Sequence, residues 1–367
     1  MSVYIGSEIY RRSAFGHNHP LSYARQESVL DMCRLLGWLD NSNFIISPTA
    51  DIATLTRYHN ADYVAALKAC DARGTVGVDI RKQYNFGTME NPLFQGVFNR
   101  AATTIGGSVE AAKQALAGNV AFHPSGGTHH GLKDRAHGFC YFNDPVYAVL
   151  TLLDAGLERV LYADIDAHHG DGVETAFIDE PCVTTLSIHE ENRWPYSGKI
   201  GDNAPGQINL PVPQGLNDSE FAYINDNLIR PVCARLKPQA IVITCGADAL
   251  DADPLSKMAL SNGALWQSVL DMGRQTEHLV VLGGGGYNPW TTVRTWVGLW
   301  GLLNDHELPD TLPDAAQAIL QKFDSDLIDE EDRLPEWITS LKDKENPGKV
   351  RDDIQSRINT INSIAET

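Results

Sequence analysis

Two short runs crowd carboxylates and imidazoles together: Tyr162-Ala-Asp-Ile-Asp-Ala-His-His-Gly-Asp-Gly172 and Cys245-Gly-Ala-Asp-Ala-Leu-Asp-Ala-Asp-Pro-Leu255. Asp166, His168 and Asp253 in these runs form a hard, mostly oxygen ligand set for one divalent metal. Three protein ligands leave a position free for water, which distinguishes a catalytic zinc site from a closed structural one. Asp166 and His168 are two apart, so in an extended segment both project to the same side. Asp253 has to arrive from a loop after a different strand. A lone Asp-x-His is commonplace and carries little weight. Here Asp164, Asp166, His168, His169 and Asp171 follow one apolar strand, and burying that many charges without a cation is costly. Asp164 and Asp171 are placed to accept hydrogen bonds from imidazoles and so fix their tautomers.

Two further features complete a set of parts for amide hydrolysis. The run Gly126-Gly-Thr-His-His-Gly131 offers His129 and His130. One imidazole beside an activated water can act as base, while its neighbour stays protonated and assists the leaving amine. Differently solvated carboxylates, Asp164 and Asp171, would push the two imidazoles apart in pKa. Tyr287 follows four glycines, Gly283 to Gly286. That run lacks the Lys-Ser/Thr of a phosphate loop and the spaced acid of a dinucleotide fingerprint. A hydroxyl donated to an oxyanion is the reading preferred for Tyr287.

The elements that position these residues follow from patterning. Apolar runs at 120–123, 159–166, 182–189, 240–246 and 279–284 read as buried strands, separated by helical stretches at 97–117, 141–156, 218–236 and 262–276. This alternation predicts an α/β fold with a parallel sheet covered by helices on both faces. Asp164, His189, Gly246 and Gly283 stand at the carboxyl ends of such strands, the edge where open α/β sheets bind ligands.

Composition sets the outer bounds. The chain has 367 residues, 43% of them hydrophobic, enough for one large core. A net charge of −18 argues against a direct electrostatic grip on nucleic acid or an anionic membrane. From residue 305 onward there are 16 acidic and 7 basic side chains, so the acidity says little about the site. Residues 304–367 read as an acidic, Pro-punctuated, helical extension of a catalytic domain spanning 1–303. The start, Met1-Ser-Val-Tyr-Ile-Gly6, reads as a strand rather than a signal peptide, and no run approaches the roughly 20 apolar residues of a membrane span. Cys33, Cys70, Cys140, Cys182, Cys233 and Cys245 lack CxxC spacing and read as reduced thiols of a cytoplasmic enzyme. Homo-oligomerisation is left open.

Taken together and in this order, the motifs resemble the zinc-dependent histone deacetylase family, which includes bacterial deacetylases, acetoin-utilisation proteins and acetylpolyamine amidohydrolases. The runs that carry the resemblance are Gly126-Gly-Thr-His-His130, Gly138-Phe-Cys-Tyr-Phe-Asn143, Asp164-Ile-Asp-Ala-His-His-Gly-Asp-Gly-Val173, Gly246-Ala-Asp-Ala-Leu250, Asp253 and Gly283-Gly-Gly-Gly-Tyr287. The resemblance covers residues 1–303. It implies the arginase/deacetylase fold, a parallel sheet of about eight strands sandwiched by helices. By motif it implies one zinc ion on Asp166, His168 and Asp253. It implies tandem histidines, His129 paired with Asp164 and His130 with Asp171, and a catalytic Tyr287. Gly138 and Phe139 would form one wall of an acyl-lysine tunnel, and Trp194 the other, where the family more often has Phe. Glu90 aligns with an acidic rim residue that grips substrate amides, and Arg25 with an arginine of an internal product channel. A structural potassium ion would lie near Asp164, Asp166, His168, Ser187 and Ile188. The short entrance segment at 16–21 would leave the mouth open.

Leu260 stands where acetylpolyamine-selective relatives tend to place a Glu, which favours an acyl-lysine peptide or protein substrate over a small acetylated amine. In the implied mechanism His129 takes a proton from the attacking water, Tyr287 stabilises the oxyanion and His130 protonates the amine. Two rivals stand beside this reading. An arginase-like site with two manganese ions would need more bridging carboxylates and has no use for Tyr287. A non-enzymatic scaffold would be expected to have lost a ligand or the tyrosine.

Overall fold

The protein is described by a computed structural model for residues 1–11, 15–16, 19–21 and 25–365. The continuous apolar runs fold as strands because both their faces are covered. The eight strands are β1 (Ser2–Gly6), β2 (Phe44–Ile46), β3 (Val120–His123), β4 (Val160–Asp164), β5 (Val183–Glu190), β6 (Gln207–Val212), β7 (Ala240–Thr244) and β8 (His278–Leu282). They form one sheet in the order β2-β1-β3-β8-β7-β4-β5-β6, and every pairing is parallel. The alternation expected from patterning is the architecture observed.

Successive residues of each strand feed opposite cores. In β7, Ile241 and Ile243 pack with Trp296 and Trp300 of the helix Pro289–Leu303. Ala240 and Val242 face the other way, onto Val146, Val149 and Leu152 of the helix Asp144–Asp154. The helix Val97–Leu116 adds Ala111, Ala112 and Ala115 to that second face. The stretch expected as one helix over 218–236 is continuous but contains a π-turn at Asn225–Ile229.

The edge strands β2 and β6 escaped the sequence reading. β2 has only 3 residues. β6 reads Gln-Ile-Asn-Leu-Pro-Val, with polar residues and a proline that an edge strand tolerates. The acidic segment after residue 303 is helical at Asp314–Leu320, Glu336–Thr339 and Asp352–Ala365. It does not hang free. Leu320, Trp337, Ile354 and Ile358 enter the same core as Trp296. The fully buried Arg294 donates to the carbonyls of Ser340 (2.6 Å) and Lys342 (3.0 Å) and pairs with Asp343 at 2.7 Å. Among the described residues no helix is long and apolar enough to cross a membrane, and all six cysteines are free.

Candidate active site

The sheet order explains why residues so far apart in sequence meet. β3, β8, β7 and β4 are consecutive neighbours, with β5 next. The loop after β3 carries His129 and His130, the loop after β8 carries Tyr287, the loop after β7 carries Asp248 and Asp253, and β4 runs into Asp164, Asp166 and His168.

Among the described residues, Asp166, His168 and Asp248 form a buried group whose ligand atoms all lie within 4.8 Å of one another. This group differs from the expected one in its third member. His168 Nδ1 lies 2.9 Å from Asp248 and 3.3 Å from Asp166. Asp253 is also buried, but its Oδ2 accepts the backbone N–H of Tyr287 at 2.7 Å and of Asn288 at 3.3 Å, and its Oδ1 that of Leu255 at 2.9 Å. Asp248 was visible in the Gly-Ala-Asp motif but carried no role there. Burial and Asp166 push the Asp248 carboxyl up. Burial and Asp248 do the same to Asp253. Burial opposes a charge on His168, yet hydrogen bonds with Asp166 and Asp248 lift its imidazole to about 10. The buried acids thus favour positive charge at this point. An oxygen-rich set with one imidazole fits a divalent ion such as zinc.

The glycine run closes this pocket. Gly285 N–H donates to Asp166 Oδ2 at 2.6 Å. A Cβ on Gly285 would stand 2.0 Å from Asp248 Oδ2, and Gly284 and Gly286 sit at φ +150° and +139°. Only glycine permits both the approach and the conformation.

Each tandem histidine rests on its own carboxylate. His129 Nδ1–H donates to Asp164 Oδ2 at 2.6 Å, and the Tyr162 hydroxyl donates to the same oxygen at 2.6 Å. His130 Nδ1–H donates to Asp171 Oδ1 at 2.7 Å. The two rings are 3.9 Å apart, too close for both to carry charge comfortably. Burial opposes protonation of His129, but Asp164 and Asp166 outweigh it and raise the imidazole to about 9. Burial and the neighbouring His129 drive His130 down to about 3, against the pull of Asp171. The protein's own charges therefore favour the proton on His129 over His130, the reverse of the expected order, chiefly through Asp164 at Nδ1 and further through Asp166, which faces His129 Nε2 at 3.8 Å.

A cavity leads out from this cluster between Gly138, Phe139, Trp194, Tyr287, Glu90 and Leu255. Trp194 lies over Gly138 so closely that a Cβ there would fall 2.3 Å from the indole, and it packs on His130 with ring centres 4.6 Å apart. Phe139 faces Tyr287 at 5.9 Å. Glu90 lines the mouth, but its oxygens accept from Gly138 N–H (2.7 Å) and Asn85 Nδ2 (2.8 Å), so it also braces the turn that presents Phe139. Leu260 is a correction. It is 1% exposed, packed into the core and hydrogen-bonded through its backbone to Ala249 and Asp251. It lines no described cavity, and Leu255 occupies the rim in its place. Arg25 lines an inner cavity behind His129 and donates to the Gly286 carbonyl at 3.2 Å. In the entrance segment His19 packs on Phe139, while His17 and Asn18 lie outside the described residues. Asp164 and Ser187 are register partners in β4 and β5 with Ile188 next in line, and Ser187 Oγ lies 2.9 Å from His189 Nδ1.

Comparison with known proteins decides the family. The histone deacetylase domain matches residues 19–303. The chain belongs to the histone deacetylase family. It is 32% identical over 328 residues to the acetoin utilization protein AcuC of Bacillus subtilis, covering 84% of each chain. It is 34% identical to a putative histone deacetylase 2 of Caenorhabditis elegans, covering 81% of this chain and 61% of that longer one. A crystal structure of an HDAC homolog from Aquifex aeolicus superposes with a TM-score of 0.93 at 32% identity, covering 98% of this chain and 99% of that one. Its fold is thus the arginase/deacetylase fold.

In this histone deacetylase family chain, further residues support the site. Asn143 caps the helix Asp144–Asp154, and its Nδ2 donates to the carbonyls of His129 (3.1 Å) and Gly131 (2.9 Å). Asp144 accepts from Gly127 N–H at 3.1 Å and Thr128 N–H at 2.7 Å. The histidine loop is thereby pinned to a helix start, a signal legible in Asn143-Asp-Pro145 as a cap followed by a first-turn proline. Arg193 clasps Glu190 at 2.6 and 2.9 Å and donates to the Leu255 carbonyl at 2.8 Å, tying the Trp194 loop to the Asp253 loop.

Proposed function

We propose that this chain is a zinc-dependent deacylase that hydrolyses acetyl or other acyl groups from lysine side chains of peptides or proteins. One observation carries the reading: two imidazoles, each hydrogen-bonded to its own carboxylate, stand beside a buried acid–histidine group at the foot of an aromatic-walled cavity. Asp166, His168 and Asp253 are the proposed ligands, with Asp248 orienting His168. A zinc ion held there would supply Lewis acidity toward the amide carbonyl and toward water.

The chain's own residues do the rest. His129 takes a proton from the attacking water; a divalent cation held by Asp166 and His168 would offset the negative charge of Asp164 and Asp166 that otherwise favours the protonated ring. The hydrogen bond of His129 to Asp164 fixes the ring. Tyr287 donates its hydroxyl to the carbonyl oxygen as that oxygen becomes an oxyanion. His130, steadied by Asp171, delivers a proton to the departing amine. Phe139 and Trp194 flank the acyl-lysine stem, and Glu90 and Gly138 shape the rim. Arg25 serves the inner cavity as an exit for the carboxylate product. Asp164, Asp166, His168, Ser187 and Ile188 are proposed to hold a structural potassium ion. The free cysteines support a cytoplasmic location.

A small acetylated amine, such as an acetylpolyamine, is the second reading, since the buried Leu260 no longer argues against it. Glu90 is the acid among the mouth-lining residues, and both its oxygens already serve Gly138 and Asn85, which favours the uncharged stem of an acyl-lysine. Turnover of acyl-lysine peptides of increasing acyl length against N-acetylated polyamines decides between them. Release from the peptides supports the proposal, and preferential release from the polyamines overturns its substrate class.

A further inference from the structure

Tyr196 stands at the mouth of the aromatic-walled cavity in a backbone conformation that favours glycine. Its φ is +65°, it is 67% exposed, and it lines the cavity with Trp194, Leu255 and Glu90. A bulky residue in the left-handed region is strained, and such strain persists only where the surroundings fix the backbone. Here they do so from both sides. Tyr196 N–H donates to the Arg193 carbonyl at 2.8 Å, and Arg193 is itself held by Glu190 and the Leu255 carbonyl. Beyond Tyr196, Ser197 Oγ lies 2.9 Å from His169 Nδ1, and the Gly198 carbonyl accepts from His189 Nε2 at 2.9 Å. Trp194 packs on His130 and on His137, each with ring centres 4.6 Å apart. The phenol gives the fold little in return. Among the described residues its hydroxyl makes no hydrogen bond and its ring stacks on no other.

We propose that Tyr196 is a specificity-determining residue that packs on an apolar side chain, an aromatic one above all, next to the acylated lysine in the substrate chain. This rests on the acyl-lysine reading of the cavity and narrows its substrate class. The charges at the mouth are already engaged. Glu90 accepts from Gly138 N–H and Asn85 Nδ2, and Arg193 donates to Glu190 and to the Leu255 carbonyl. What the mouth offers an incoming chain is the half-buried Trp194, the half-buried Leu255 and the exposed phenol. An apolar neighbour of the acyl-lysine that covers this surface is removed from water, and an aromatic one adds ring-on-ring contact. A polar or acidic neighbour gains neither. The phenol lines the rim, so its contact strengthens binding alike before and during reaction and is read in KM rather than kcat.

The test uses the zinc-loaded full chain and acetyl-lysine peptides that differ only in the residue on either side of the acetyl-lysine: Phe, Leu, Gly or Asp. Steady-state kinetics and fluorescence-anisotropy binding are read for the wild type, Tyr196→Gly and Tyr196→Phe. The wild type is expected to favour a Phe-flanked over a Gly-flanked peptide by about 3- to 10-fold in kcat/KM, carried by KM. In Tyr196→Gly that ratio falls toward unity while the melting temperature is not lowered, because glycine is at ease at this φ. Tyr196→Phe keeps the ratio, since the hydroxyl has no part in the contact. A wild type indifferent to the neighbour, or a Tyr196→Gly variant that keeps the preference, overturns the proposal. Loss of the preference together with a lowered melting temperature would assign Tyr196 a structural role and overturn it too. The hydrolase reading fails separately. Peptides that bind with the neighbour preference but are not cleaved count against that reading alone, whereas cleavage without the preference counts against Tyr196.

Discussion

Asp253 accepts the backbone N–H of Tyr287 at 2.7 Å, so the loop after β7 and the tyrosine at the end of the glycine run move as one unit. The carboxylate proposed for the metal thereby sets where the phenol can point. Removing only the hydroxyl leaves this bond intact. Tyr287→Phe is expected to lower kcat by about 10²-fold or more, as for loss of one oxyanion donor, with zinc content and KM nearly unchanged. Steady-state kinetics with metal analysis checks this, and turnover within a few-fold of the wild type would remove Tyr287 from the mechanism.

Asp248 and Asp253 compete for the role of third ligand, and their hydrogen bonds make different predictions. Asp253→Asn is expected to weaken zinc binding by about 10²-fold or more. Asp248→Asn, which perturbs a residue behind His168, is expected to cost about 10–100-fold. Competition with a chromogenic chelator measures both. The reverse order would assign the ligand set to Asp166, His168 and Asp248.

Zinc loading should release protons. His168 keeps its proton to about 10 in the protein alone, and ligation needs the neutral ring. The sign follows: below that pH each bound ion displaces at least one proton, and a second where Asp253, raised to about 7 by burial and Asp248, is also protonated, so apparent affinity rises by about tenfold or more per pH unit from mildly acid to mildly alkaline solution. Calorimetry of chelator-stripped protein in buffers of different ionisation enthalpy reads the proton count. A pH-independent affinity would contradict the assignment.

Gly138 is held under Trp194 and His130 at φ +52°, where a Cβ would fall 2.3 Å from the indole and 2.6 Å from the His130 ring. Gly138→Ala is expected to cost about 1–3 kcal/mol of stability through backbone strain and to lower kcat/KM by displacing Trp194. Thermal melts and peptide kinetics test it together, and a variant that melts and turns over like the wild type would show that the wall is freely adjustable.

What the sequence disclosed was whatever strong local patterning or a dense motif could carry. Five buried strands and the Asp164–Asp171 cluster stood out because apolar runs and adjacent charges are conspicuous. The edge strands β2 and β6 did not, since three residues or a proline-bearing polar run make no such pattern. Leu260 was misplaced because counting residues after Asp253 cannot tell that the chain turns back into the core through the Leu250–Leu260 bridge. The preference of His129 for a proton was only half legible: Asp164 was expected as its partner, but the further pull of Asp166, 3.8 Å from the same ring, was not.

The central claim is that a metal held beside His129, His130 and Tyr287 drives amide hydrolysis. The most direct measurement is acetate release from an acetyl-lysine peptide by the protein as purified, after chelator treatment, and after adding back zinc, with bound metal counted in each sample. Activity is expected to vanish on stripping and to return with one zinc per chain. Full activity in the stripped protein, or recovery that requires two manganese ions, would contradict it.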